Sequence, residues 1–268
     1  MQTLFIASLF VATVFVIVLA IEAGFRLGSS IHRKSEDEKE SPVSAIAGSV
    51  LGLLAFILAF TFAIVSDRYD ARKGLVREEA NAIRTAFLRS DFLPESDRGE
   101  AARLLRRYLD VRLTATLSLD LEQVNAAVVE SARIQKSLWD MAVANARKDM
   151  NSDVAALYIE SLNEVINVNA MRVAVGLQMR VPPGIWVVLY ALVTFGMVAV
   201  GYQTGIAGSR RTWAISVLAV SFSLVIALIA ALDQPHSGYF TVSQQPLIDL
   251  QAAMSAGGAD GAPPARKP

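Results

Sequence analysis

A chain of 268 residues with 53% hydrophobic and only 19% charged residues is too apolar for an ordinary soluble domain, and its positive mean hydropathy agrees. Lys plus Arg and Asp plus Glu balance at 25 each, so there is no overall field to gather nucleic acid or anionic lipid. With no Cys and only two His, His32 and His236, thiol nucleophiles, disulfides and zinc sites rich in Cys or His are excluded.

Four apolar runs are long enough to cross about 30 Å of hydrocarbon: roughly Leu4 to Ile21, Ala45 to Val65, Ile185 to Tyr202 and Trp213 to Leu232. Met1-Gln2-Thr3 lacks a basic leader and no small-x-small cleavage site follows, so the first run reads as a retained span. The order is two spans (1–65), a polar insert (66–181), two further spans (182–232), a segment folding back on the insert (233–254) and a Gly/Pro-rich tail (255–268) predicted to be disordered. An even span count puts both termini and the insert on one side of the bilayer. Arg26, Arg33, Lys34, Lys39, Arg210 and Arg211 in the short loops nearly balance the basic residues flanking the insert, so charge alone gives no orientation.

The second span runs on through SDRYDARKGLVREEANAIRTAFLR without a Pro, which predicts one helix that leaves the membrane still helical. At 100° per residue, Gly48, Gly52, Ala55, Ala59 and Ala63 share a narrow face, continued by Ser66, Asp70, Gly74, Arg77 and Asn81. In the insert, Ser96 or Asp97 can cap a second helix to Leu117 and Asp120 a third. Asn151 or Ser152 can begin a fourth that stops before Pro182-Pro183. A short apolar helix is expected from about Pro246. The whole reads as an all-α polytopic membrane protein, two spans plus two, with a helical insert built partly from extensions of the spans.

No span carries an ionisable residue in its central part, which disfavours pumps and proton-coupled transporters. The Ser216, Ala219, Ser223, Ala227, Ala230 series in the fourth span reads as a packing seam. Gly48-x-x-x-Gly52 fits two uses: packing within the chain, or a ring of second spans around a pore with Phe56 and Phe60 as a constriction that gates by dewetting. Asp67, Asp70, Lys73 and Arg77 are either an interfacial collar with local pairs such as Asp70–Lys73, or charged rings at a pore mouth. Glu78, Glu79 and Asn81, with Asn163, Glu164 and Asn167, suggest a buried polar network between the first and fourth insert helices. Asn169, on an apolar face, suggests a register-fixing residue. There is no phosphate loop, nucleophile elbow, EF-hand or H-E-x-x-H motif, so no catalytic residue, metal or cofactor is expected.

Over most of residues 40 to 250 the chain resembles the bestrophin-like family of bacterial membrane proteins. The likeness rests on AFTFAIVSDRYDARKGLVREEANAIRTAFLR at Ala59 to Arg89, on SLNEVINVNAMRVA before the third span and on LDQPHSGYFTVSQQPL after the fourth. It implies the layout of bestrophins, pentameric anion channels whose second span lines the pore and carries a hydrophobic neck. By that resemblance the protein would be a homo-oligomer in a bacterial inner membrane, passing inorganic anions, with insert and termini cytoplasmic and Phe56 and Phe60 nearest the neck. No acidic calcium clasp is present, so calcium gating is not implied. The competing class is a non-conducting signalling or scaffold protein whose insert binds a protein partner and whose seams serve assembly alone.

Overall fold

Long runs of good helix formers fold as helices in the computed structural model, which describes residues 2–33, 40–117, 120–178, 180–208, 213–234 and 240–256. Lys34, Glu36, Arg210, Arg211, His236 and the tail after Ala256 fall outside them. The helices are α1 (Gln2–His32), α2 (Glu40–Arg89), α3 (Glu95–Leu117), α4 (Leu121–Ala146), α5 (Asp153–Val173), α6 (Pro183–Ile206), α7 (Trp213–Asp233) and α8 (Gln245–Ala256), and no strand occurs among the described residues. Four of them, α1, α2, α6 and α7, are long and apolar enough to cross a membrane. The protein is an all-α polytopic membrane protein. Its 50-residue α2 extends ~75 Å, far beyond a bilayer crossing.

The chain divides into two compact units. The first comprises residues 1–69 and 180–241 and holds α1, the first part of α2, α6 and α7. Ile17, Leu54, Leu58, Leu189, Val193, Met197, Ile226 and Ile229 fill its core. α1 continues past the predicted Ile21 to His32, carrying Glu22 and Arg26 as a local pair at 2.6 Å. The reason lies in packing. Gly24 and Gly28 of α1 meet Gly201 and Gly205 of α6 so closely that a Cβ on Gly24 or Gly201 would fall onto the facing backbone, and one on Gly205 would lie 2.5 Å from the Phe25 carbonyl oxygen. A hydroxyl contact, Thr13 with Tyr190 at 2.8 Å, joins the same two helices further along.

In the fourth span Ala219, Ser223, Ala227 and Ala230 are buried, while Ser216 is exposed, so the seam begins one turn later than the sequence suggests. At the end of α7 the Asp233 carboxylate accepts from the Val181 N–H at 3.0 Å, lies 3.8 Å from Arg68, and the Asp233 carbonyl accepts from Arg180 at 2.6 Å. Three segments are thus clamped by one residue.

The second unit comprises residues 70–179 and 242–268 and holds the rest of α2 with α3, α4, α5 and α8. Ile83, Leu105, Leu109, Leu138, Leu162, Leu247 and Leu250 are among its core residues. Asp120 caps α4 by accepting from the Glu122 N–H, and Ser152 caps α5 by accepting from the Ala155 N–H. Ser96 and Asp97 do not cap α3. Pro94 precedes the helix and its carbonyl accepts from Asp97 and Arg98 at 2.9 and 3.0 Å, leaving Ser96 and Asp97 inside the first turn. There the Asp97 carboxylate accepts from Asn145, which holds it below the usual carboxylate range.

Candidate pore face and buried charge cluster

Along the membrane part of α2 one stripe, Ala47, Leu54, Leu58, Thr61 and Val65, is buried. Gly196 of α6 sits against Val50, Leu51 and Leu54, which fixes this side of α2 toward the body of the unit. Every candidate pore residue lies on the remaining surface: Gly48, Gly52, Ala55, Phe56, Ala59, Phe60 and Ala63 are all exposed. Phe56 and Phe60 each leave 57% of their surface uncovered, and their rings lean on one another with centroids 4.8 Å apart. A Cβ added at Gly48 or Gly52 would meet nothing within 4 Å. The close-packing glycines inside the chain are therefore Gly24, Gly28, Gly201 and Gly205, which carry the same four-residue spacing and which sequence reasoning passed over.

Further along the helix Asp67, Asp70, Lys73 and Arg77 are exposed, with the expected local pair between Lys73 and Asp70 at 3.4 Å.

Of the polar residues expected to form a network, the structure buries Glu79 completely and Asn169 almost so. Glu78, Asn81, Asn163, Glu164 and Asn167 are all exposed on the single chain. The partners of Glu79 come from residues that sequence reasoning did not select. Arg112 of α3 donates to its Oε1 at 2.7 Å, Tyr108 donates to the same oxygen at 3.1 Å, and Arg172 of α5 donates to Oε2. Gln135 of α4 donates to the Tyr108 hydroxyl at 3.3 Å, and Arg172 also donates to Gln244, ahead of α8, at 3.1 Å. One carboxylate thus ties four helices and the α8 approach together.

The electrostatics of this cluster follow from burial. Loss of water pulls the Arg112 guanidinium below its ordinary value and that of Arg172 down to about 10, so both stay charged at neutral pH. Burial pushes the Tyr108 phenol up to about 12 and keeps it a neutral donor. Two cations share one anion. The signal was present in the sequence: Arg172 falls seven residues after Val165 and Arg112 seven after Leu105, each at the end of a buried stripe where only a partnered charge is tolerated.

Among the described residues no three His, Cys, Asp or Glu side chains are grouped to hold a metal ion. What the geometry offers is an unpartnered aromatic and small-residue face on a membrane span.

No curated protein matches the chain. Two solved structures share its fold: the crystal structure of a mutant membrane protein, 16% identical, covering 97% of this chain and 99% of its own with a TM-score of 0.60, and that of a mutant bacterial bestrophin homolog from Klebsiella pneumoniae, 15% identical, covering 95% and 99% with a TM-score of 0.57. The model of the Bestrophin-like domain matches residues 6–247. With nearly the whole four-span chain inside that match, the protein belongs to the Bestrophin-like domain family.

Proposed function

We propose that the protein is a passive, homo-oligomeric ion channel in which copies of α2 surround the conduction path. The observation that carries this reading is the exposed Gly48–Ala63 face, which no other described segment of the chain covers although the opposite face of the same helix is packed into the core. Small residues let neighbouring backbones come close, and Phe56 and Phe60 supply a hydrophobic constriction that closes by dewetting. Spans with no ionisable residue at their centres suit passive flow, which needs no coupled proton carrier. Asp67, Asp70, Lys73 and Arg77 add charge along the path, and inorganic anions such as chloride are the permeant class. A pentamer in a bacterial inner membrane, with the insert and both termini cytoplasmic, completes the reading.

The test is ion flux into liposomes holding the purified protein, with chloride and potassium gradients imposed at both signs of membrane potential. Chloride-selective flux that changes when Phe56 is altered supports the proposal. Absence of flux from the folded oligomer, in wild type and in Phe56→Ala alike, favours a scaffold or signalling protein instead.

A further inference from the structure

Arg68 follows the apolar run of the second span, which ends at Val65, and Arg180 stands just ahead of α6, while Asp233 closes α7. All three belong to the membrane unit and meet where its spans run out of apolar sequence, the level at which hydrocarbon gives way to headgroups. We propose that the guanidinia of Arg68 and Arg180, with the exposed apolar start of α6, bind the phosphate of an anionic phospholipid.

Charge is the first argument. Asp233 is the acid that both cations meet, and it neutralises only one of them. Its carboxylate accepts from the Val181 N–H at 3.0 Å and reaches Arg68 at 3.8 Å, whereas Arg180 is met by the uncharged Asp233 carbonyl at 2.6 Å. Arg68 Nη1 is shielded from solvent yet makes no hydrogen bond, and the rest of its side chain is partly exposed. No second acid lies nearby in this stretch of sequence: between Glu164 and Asp249 the chain carries Asp233 alone. On α2, Asp67 points about 100° round the helix from Arg68. One positive charge is left over, and a phosphodiester supplies one negative charge with oxygens that suit guanidinium forks.

The surface beside this charge is apolar and open. Arg180 is exposed, and so are Gly184, Val187 and Val188 on the first turns of α6, where a Cβ on Gly184 would meet nothing within 4 Å. Trp186 is turned to the other side and packs on the core. At the same span ends Tyr69 meets Phe240 edge to face, with ring centroids 6.4 Å apart, in the manner of an interfacial aromatic belt. A headgroup held at Arg180 therefore has valine side chains for its acyl chains to lie on, a contact that free phosphate cannot make.

Direction keeps this site apart from the conduction path. At 100° per residue Arg68 points about 160° away from Gly52, on the side of α2 that carries the buried Val65. The lipid site therefore stands whether or not the protein conducts.

The test uses the full chain, purified in a neutral detergent and stripped of lipid. Phosphatidylglycerol, phosphatidylcholine and inorganic phosphate are titrated separately at constant ionic strength, and the unfolding temperature and the lipid retained in native mass spectra are read. Phosphatidylglycerol should raise the unfolding temperature and remain bound, while the other two should not. Losing one basic residue near an anionic headgroup weakens attraction about fivefold, so R68Q and R180Q should each weaken phosphatidylglycerol binding by that factor. K73Q, which alters an exposed cation five residues on from Arg68, should leave it unchanged. R180Q removes a charge met only by a backbone carbonyl, so it decides the matter if R68Q fails to fold. Equal protection by phosphatidylcholine, wild-type phosphatidylglycerol affinity in folded R180Q, or an equal loss in K73Q overturns the site. Protection by inorganic phosphate as strong as that by phosphatidylglycerol overturns the lipid as its occupant and gives the guanidinia to a free anion.

Discussion

The Arg172 guanidinium donates to the Glu79 carboxylate inside the helical insert, joining α2 to α5 across 93 residues of sequence. Because Arg112 and Tyr108 converge on the same carboxylate, Glu79 is, among the described residues, the acid that neutralises a buried, excess-positive cluster. Its value is best measured by its removal.

Glu79→Ala leaves Arg112 and Arg172 buried without their counter-ion, and breaking a buried pair in this way costs about 3–5 kcal/mol. Denaturant unfolding of the purified variant, followed by circular dichroism, should show a loss of that order. A loss below about 1 kcal/mol would mean that water or another acid replaces Glu79.

The two glycine pairs should behave oppositely. Gly201→Val drives a side chain into the α1 backbone and should abolish or strongly reduce the yield of folded protein. Gly52→Ala meets open space and should leave the thermal stability of the chain within about 0.5 kcal/mol of wild type. Equal damage from both would argue that Gly52 is already packed in the isolated chain.

Alkaline pH should weaken the insert through Tyr108. Its phenol is raised by burial to about 12 in the folded protein, against about 10 for an exposed phenol. Between those values the unfolded chain has lost the proton while the folded chain still binds it, so stability is complete below pH 10 and falls as pH rises toward 12. The loss approaches about 2–3 kcal/mol. Arg172, drawn down to about 10 by burial, contributes with the opposite sign over the same range, so the Tyr108 contribution is read as the difference between wild type and Tyr108→Phe in the change of unfolding free energy from pH 9 to pH 11: the wild type should lose more, or gain less, than the variant.

If Phe56 and Phe60 form a dewetting gate, truncating them should raise resting flux. Phe56→Ala together with Phe60→Ala is expected to increase chloride uptake into liposomes by tenfold or more, with the oligomer unchanged in size. Unaltered flux would remove these rings from the conduction path.

Some of this molecule was readable in its residues alone. Asp120 and Ser152 precede amphipathic runs and cap them as expected, and the Pro-free passage from Ala45 to Arg89 does fold as one helix. The true end of α1 was hidden because Glu22 and Arg26 resemble a membrane boundary. Whether a helix continues past charged residues depends on its neighbour, here the glycine face of α6. The polar residues of α2 and α5 were recognised as a set, but periodicity alone did not separate Glu79, which points inward, from Asn163, Glu164 and Asn167, which point out. The direction becomes legible once Arg112 and Arg172 are seen to share stripes with Leu105 and Val165. The face of α2 left bare by the single chain is a different matter, because its partner is not encoded in any segment that packs against it here.

Asp233 is the last residue of the last span, and it grips the residues that lead into α6 as well as Arg68 of α2. During synthesis none of those grips can form until α7 has left the ribosome. These contacts of the membrane unit therefore close only with the final residue of α7, and a nascent chain interrupted before α7 leaves Arg180 and the Val181 amide without the Asp233 group they donate to.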